Sequence, residues 1–353
     1  MRFKCLSKSW NSLISDPFFV ELHLNKSSRN SHIALLLPDI KYGYNPLKIF
    51  HIDSLFKTPF ATANYRLMNR GLFYRLIGSC NGLICLRGYS YIPKYPKFSL
   101  FFWNPAKRSF SEKLASFSNE APHPDFKFSF GYDNLSGKYK VVAFRPNDVR
   151  VFTLGYNVWT KIQCFPTHPH IYSYYHMPTY GAYLNNSFNW FAIRNNVIAN
   201  SYDWKNISVQ QFVIISLDLG KETYIQLLPP QDFDEVPYFA PIVCVLMECL
   251  CFTYCSKEYN FTIWQMREFR VEKSWTKLLK FSYLNYFFYG YNGYCYFLPL
   301  HVFENGDILI LASDDQRRVI LYNKRDNRVV KIVHYDLYWF FIEHYVESLV
   351  STC

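Results

Sequence analysis

FGYDNLSGKYKVVAF (130–144) and VRVFTLGYNVWTKI (149–162) are the stretches that decide the fold. The first is a strand-like run interrupted by a turn, Asp133-Asn134 to Gly137. The second is a hairpin: one strand ends at a polar turn around Gly155 and another resumes. Apolar side chains recur at period two through both, the pattern of pleated strands, and Gly, Asn and Asp stand where the chain must reverse.

This order, a run with a turn followed by a hairpin, recurs along the chain. Runs of the first kind are LIGSCNGLICL (76–86), GAYLNNSFNWFAI (181–193), VLMECLCFTYC (245–255) and VFENGDILILA (302–312). Each is followed by a hairpin: SLFFWNPAKRSFSEKL (99–114), FVIISLDLGKETYIQLLP (212–229), FTIWQMREFRVEKSWTKL (261–278) and RVILYNKRDNRVVKIV (318–333). Asn305-Gly306, Leu219-Gly220 and Gly155 supply backbone freedom for tight reversals, and Asn104-Pro105 and Asn323 to Asp326 are ordinary turn formers. Five paired units of about 50 residues, each with roughly four strands, match the period of β-propeller blades. A β-sandwich would show turns as frequent but not the repeated order. Two segments lie outside the five units, 31–53 and 339–350. Together they would make a sixth blade that joins the two ends of the chain and hides open strand edges. The alternative is a separate hairpin and a loose strand. The expected fold class is all-β: a β-propeller-like body of about six blades, preceded by one or two short N-terminal helices.

The first 27 residues read differently. Phe3, Leu6, Trp10, Leu13 and Ile14 recur at steps of three and four and line one helical face, with Arg2, Lys4, Ser7, Lys8, Asn11 and Ser12 opposite. Nothing resembling a helix start precedes Arg2, so this helix is expected to be under way from the first residues, with a partner segment missing. Ser15 or Asp16 can cap a second short helix, SDPFFVELHLN, whose first turn suits Pro17.

Composition narrows the function. Half of the 353 residues are apolar, enough for a large core. No run of about 18 apolar residues occurs, and Lys, Arg and Trp stand where a signal peptide would be apolar. The expectation is a protein of the cytoplasm, the nucleus or both, with no membrane association, whose ten cysteines are reduced. The net charge of +11 is scattered, with no Lys/Arg run longer than two, and no nucleic-acid signature occurs; nucleic acid is not an expected partner. The 33 Phe, 30 Tyr and 8 Trp fit the core of a sheet protein.

No G-x-S-x-G, H-E-x-x-H or P-loop is present, so no catalytic residue is nominated. His168, His170 and His176 would chelate a metal only if their loop folded back, and they read as plain surface residues. Cys244, Cys249, Cys251 and Cys255 lie close together, but on a strand they lack the turn of a zinc knuckle and read as buried thiols. Asp314-Asp315 fits a solvated hairpin turn better than an acid/base pair. Neither a metal nor a cofactor is expected, and the chain is read as a non-enzyme.

RFKCLSKSWNSLISDPFFVELHLNKSS (2–28) resembles the second half of the F-box in the large group of plant F-box proteins. GSCNGLICL (78–86), FWNPAKRSF (102–110), FGYDNLSGKYKVV (130–142), SLDLGKETY (216–224) and YVESLV (345–350) resemble that group's F-box-associated, kelch-like domain. The resemblance implies a partial F-box at 1–30 and an F-box-associated propeller at 31–353. It also implies a function: the substrate-recognition subunit of an SCF (Skp-cullin-F-box) ubiquitin ligase, which brings a protein target to ubiquitination. Phe3, Leu6, Trp10, Leu13 and Ile14 would face the Skp-type adaptor. The Leu-Pro start of the motif does not occur here, so adaptor binding is expected to be weakened; the gene model begins at an internal Met, or the protein is a shortened relative. The alternative is a stand-alone protein-interaction propeller that has lost the adaptor. The target is not named by the residues.

Overall fold

The computed structural model describes residues 7–27, 32–36, 46–52, 63–66, 73–89, 97–112, 114–118, 126–170, 181–194, 207–237, 239–283, 297–303, 308–313, 318–334 and 341–352. Helix α1 runs Lys8–Ser15 and helix α2 runs Pro17–Ser27. The start of α1 corrects the sequence reading. Ser7 is extended and its hydroxyl accepts from the Trp10 N–H at 3.2 Å, so the helix is capped at Ser7 and does not run through from Arg2. A serine that satisfies one of the orphan N–H groups of a first turn outweighs the continuing apolar period. Phe3 and Leu6 lie outside the described residues. Asp16 caps α2 as expected, its carboxylate accepting from the Phe19 N–H at 3.1 Å.

Among the described residues, the strands lie in six antiparallel sheets, with short 3-10 turns at Val209–Gln211 and Glu272–Ser274. The chain divides into two compact units, the first Met1–Arg145, Arg150–Lys161 and Trp339–Cys353, the second Pro146–Val149 and Ile162–Tyr338.

The first sheet, in the first unit, has the order Phe341–Tyr345, His32–Leu36, Pro46–His51, Ala63–Arg66. Its outer strand comes from the other end of the chain, with His32 opposite Tyr345 and Leu36 opposite Phe341. The two segments outside the five repeats thus build one sheet together. The second sheet is Phe73–Cys80, Leu83–Tyr89, Lys97–Asn104 and Ser109–Phe110, with Leu114–Ser118 also paired to the third strand. The third, Lys127–Asp133, Lys138–Arg145, Asp148–Thr153 and Val158–Ile162, falls in the first unit but for a few residues.

The second unit holds three meanders: a fourth sheet (Ala182–Leu184, Ser187–Ile193, Phe212–Asp218, Thr223–Leu227), a fifth (Ile242–Leu246, Cys249–Cys255, Asn260–Met266, Trp275–Ser282) and a sixth (Phe297–Val302, Ile308–Ser313, Arg318–Asn323, Arg328–His334). The fifth is covered on both faces. Leu250, Phe252, Trp264 and Met266 pack with Phe191, Phe212 and Ile214 of the fourth sheet. Cys251, Cys255, Phe261 and Ile263 pack with Phe297, Ile320 and Tyr322 of the sixth. Burial on both faces explains why inner strands such as SFNWFAI are buried at every position, while the outer strand Thr223–Leu227 is mostly exposed.

The turns repeat as the strands do. The hairpin between the first and second strands of a sheet carries adjacent left-handed residues at Asn81-Gly82, Asn185-Asn186 and Met247-Glu248. Such pairs match the strand twist, and Asn and Gly tolerate them best. The later hairpins are held by side chains: Asn104 Oδ1 accepts from the Lys107 N–H at 3.0 Å, Asp218 Oδ1 from Gly220 and Lys221 at 3.0 Å each, and Asn323 Oδ1 from Asp326 at 3.0 Å.

Candidate functional site

The two helices carry the surface that stands out. Trp10 and Leu13, three apart on α1, are 47% and 50% exposed; Phe18 and Leu22, four apart on α2, are 68% and 51% exposed. Side chains at these spacings share a helix face. Leaving a large apolar side chain in water forgoes about 1.5–3 kcal/mol, so exposed groups of them mark contact sites. Ile14 is different: it is 7% exposed and covered by the protein itself. Of the five residues nominated from the sequence, then, Trp10 and Leu13 are presented together and Ile14 is turned inward. Phe18 and Leu22 were missed, although the i, i+4 spacing of two large apolar residues within PFFVEL was their signal.

The third sheet carries a cluster of aromatic rings. Burial, and after it the charges of Cys80, Glu21 and Asp133, raises the Tyr132 phenol. Tyr132 meets Tyr139 edge-on at 4.9 Å, and Tyr139 stacks on Phe130 at 5.6 Å. The hairpin carrying these rings is pinned by a buried ion pair, Lys140 Nζ to Asp133 Oδ2 at 3.1 Å. Burial pushes the Asp133 carboxyl up, but the Ser136 hydroxyl at 2.7 Å, Lys140 and the Leu135 N–H at 3.0 Å outweigh it and hold the group below its ordinary value.

His168 and His170 are half-buried, which corrects their reading as surface residues. Their segment is drawn onto the fourth sheet: Pro169 bridges to Ala192, the His170 N–H donates to Phe191 O at 2.8 Å, and the rings lie edge-on to Phe165 and Phe191. Burial lowers His170 to about 4 and lowers His168 as well, the latter partly restored by its bond to the Pro169 carbonyl. His176 and Asp314-Asp315 lie outside the described residues. Cys251 and Cys255 are buried, while Cys244 and Cys249 are half-buried. Among the described residues no group of His, Cys, Asp or Glu is arranged to hold a metal ion, and no helix is long and apolar enough to cross a membrane.

Residues 45–198, from the second strand of the first sheet to just beyond the second strand of the fourth, match the F-box associated beta propeller domain family. Beyond this segment, most of the chain is similar to F-box proteins of a plant. An F-box/kelch-repeat protein of Arabidopsis thaliana is 27% identical over 296 residues, covering 79% of this chain and 73% of its own. An F-box protein of the same plant is 25% identical, over 89% of this chain and 72% of its own. The F-box protein CPR1, also of Arabidopsis thaliana, is 28% identical, over 79% and 68%. The described residues have a β-propeller-like fold of four- and five-stranded antiparallel sheets, preceded in the chain by two short helices.

Proposed function

We propose that this F-box-associated propeller protein is a substrate-recognition subunit of an SCF-type ubiquitin ligase, with α1 and α2 facing a Skp-type adaptor and the propeller binding a protein target. The observation that carries this reading is the helix surface: Trp10, Leu13, Phe18 and Leu22 stay exposed on the segment that precedes the propeller. A few large anchors at the centre of an interface supply most of its affinity, and an aromatic such as Trp10 is the kind of residue that does so. The receptor itself is non-enzymatic. Holding a target beside a ubiquitin-charged enzyme raises the effective concentration of the target's lysines, which is work done by binding alone.

The second reading is a stand-alone interaction propeller. It is favoured by the burial of Ile14, which removes one apolar anchor from the face offered to an adaptor. A pull-down with a Skp-type adaptor separates the two. Under the ligase reading the chain retains the adaptor weakly, a version extended by an upstream Leu-Pro-type F-box segment retains it well, and Trp10→Ala weakens the extended version by about 2 kcal/mol or more. An extended chain that ignores the adaptor, or that binds it unchanged after Trp10→Ala, leaves the stand-alone propeller.

A further inference from the structure

The first hairpin of the fifth sheet sets two thiols directly opposite one another. Cys244 of Ile242–Leu246 is the register partner of Cys251 of Cys249–Cys255. Residues paired in this way project to the same face. Here it is the face that packs on the sixth sheet, where Cys251 is buried among Phe261, Ile263 and Phe297 and the half-buried Cys244 lies against the same cluster. The Cys251 thiol donates to the Cys249 carbonyl oxygen at 3.7 Å, and the neighbouring Cys244 thiol, with burial, raises Cys251 well above the ordinary thiol value. Among the described residues no other two cysteines pair in register: Cys85 faces Gly78, Cys80 faces Leu83, Cys249 faces Leu246 and Cys255 faces Phe261.

The spacing follows from the turn. Met247-Glu248 is a two-residue reversal flanked by Leu246 and Cys249. In such a hairpin the flanking residues exchange both backbone hydrogen bonds, and every second pair after them does the same, so Cys244 and Cys251 form a hydrogen-bonded pair with Cα atoms about 5.5 Å apart. That lies within the roughly 4.4–6.8 Å that disulfides span. Their Cβ atoms, at about 5 Å, must come closer for the usual disulfide separation of about 3.8 Å, so a bridge here carries strain.

We propose that Cys244 and Cys251 are a site of reversible oxidation, closing to a cross-strand disulfide when the protein meets a peroxide; this is independent of the receptor reading. Cys244, the more open of the two, reacts first: its thiolate sulfur attacks one peroxide oxygen, the O–O bond breaks, and a sulfenic acid and one water result. Cys251 then attacks that sulfur and expels the hydroxyl as a second water. Two thiols have lost two electrons and two protons to the peroxide, whose two oxygens leave as water. The burial of Cys251 makes the second step slow, and the strain makes the product easy for small thiols to reduce. The bridge cinches the hairpin against Phe297 and Ile320 and stiffens the adjoining turn at Met247-Glu248.

The test is mass spectrometry on the folded, pre-reduced chain treated with millimolar hydrogen peroxide and digested with a protease that cuts after Glu248. The expected result is a pair of peptides joined through Cys244 and Cys251, lighter by two hydrogens and separated by dithiothreitol. The joined pair is lost in Cys244→Ser and kept in Cys249→Ser, with circular dichroism showing both variants folded. If Cys244→Ser does not fold, the linkage map of the unsubstituted chain decides alone. Oxygen added to Cys244 without linkage, a bridge that requires Cys249, or a bridge that forms only in urea overturns the proposal.

Discussion

Gly82 and Ser348 are in such close contact that a Cβ atom on Gly82 would stand 2.2 Å from the Ser348 hydroxyl oxygen. Gly82 also occupies the left-handed region, with φ of +79°. The turn after the first strand of the second sheet is therefore the seat of segment 346–352, which is tied down from the other side by Asn104. The Asn104 Nδ2 donates to Ser348 O at 3.0 Å and to Val350 O at 2.8 Å. Gly82→Ala combines left-handed strain with overpacking and is expected to cost about 2–4 kcal/mol. Asn104→Ala loses three hydrogen bonds from a buried site and is expected to cost about 2–3 kcal/mol. Because both act on the same segment, the double variant in urea unfolding should lose less than the two costs added. Strict additivity would mean that the segment is not shared.

The buried Asp133–Lys140 pair sets an acid limit. Asp133 is held below its ordinary 3.8, so the stability it contributes is fully present above that value and is lost as pH falls through the lowered folded value. Asp133→Asn should remove this part of the acid loss. It also strands Lys140 in a buried position, so at neutral pH the variant is expected to be less stable by about 3 kcal/mol. Denaturation midpoints measured from neutral pH to pH 3 check both halves.

His170 works in a different window. Its folded value of about 4 lies below the ordinary 6.5, so between those values the unfolded chain takes up a proton that the folded chain refuses. Stability is full above about 6.5 and declines as pH falls toward 4, by on the order of 3 kcal/mol. His170→Gln should flatten this stretch of the stability curve. A curve equally steep in the variant would show that the His170 ring is not held neutral.

The helix residues divide by burial, and folding measurements can display the division without any partner. Ile14→Ala is expected to destabilise the chain by about 2–4 kcal/mol, as truncation of a buried isoleucine does. Trp10→Ala, Leu13→Ala and Phe18→Ala, at exposed positions, should stay within about 0.5 kcal/mol of the parent. Comparable costs at Ile14 and Trp10 would mean that both sit in the core, and the docking surface would be gone.

The hairpin units could be recognised in the sequence because their signals are local. Asn81-Gly82, Asp133 to Gly137 and Asp218 to Gly220 close turns through their own backbone preferences or their own side chains. The pairing of Phe341–Tyr345 with His32–Leu36 followed from the cost of an open edge. What escaped was decided at a distance. Nothing near His170 in the sequence announces that its ring will lie against Phe191. The inward turn of Ile14, next to an outward Leu13, depends on what α1 rests on rather than on its period. The Ser7 cap was visible in kind, since serine is a common cap, but the apolar spacing from Phe3 onward competed with it and won the reading.

The first sheet has a bearing on how the protein is made. His32–Leu36 leaves the ribosome early, yet its partner Phe341–Tyr345 is encoded about 300 residues later. At about 5–20 residues per second, that strand waits roughly 15–60 s with one edge unpaired, an invitation to pair with a neighbouring nascent chain. Synthesis of Phe341–Tyr345, and not any local folding step, then sets when this sheet closes, and chaperone cover during that interval becomes a condition of yield.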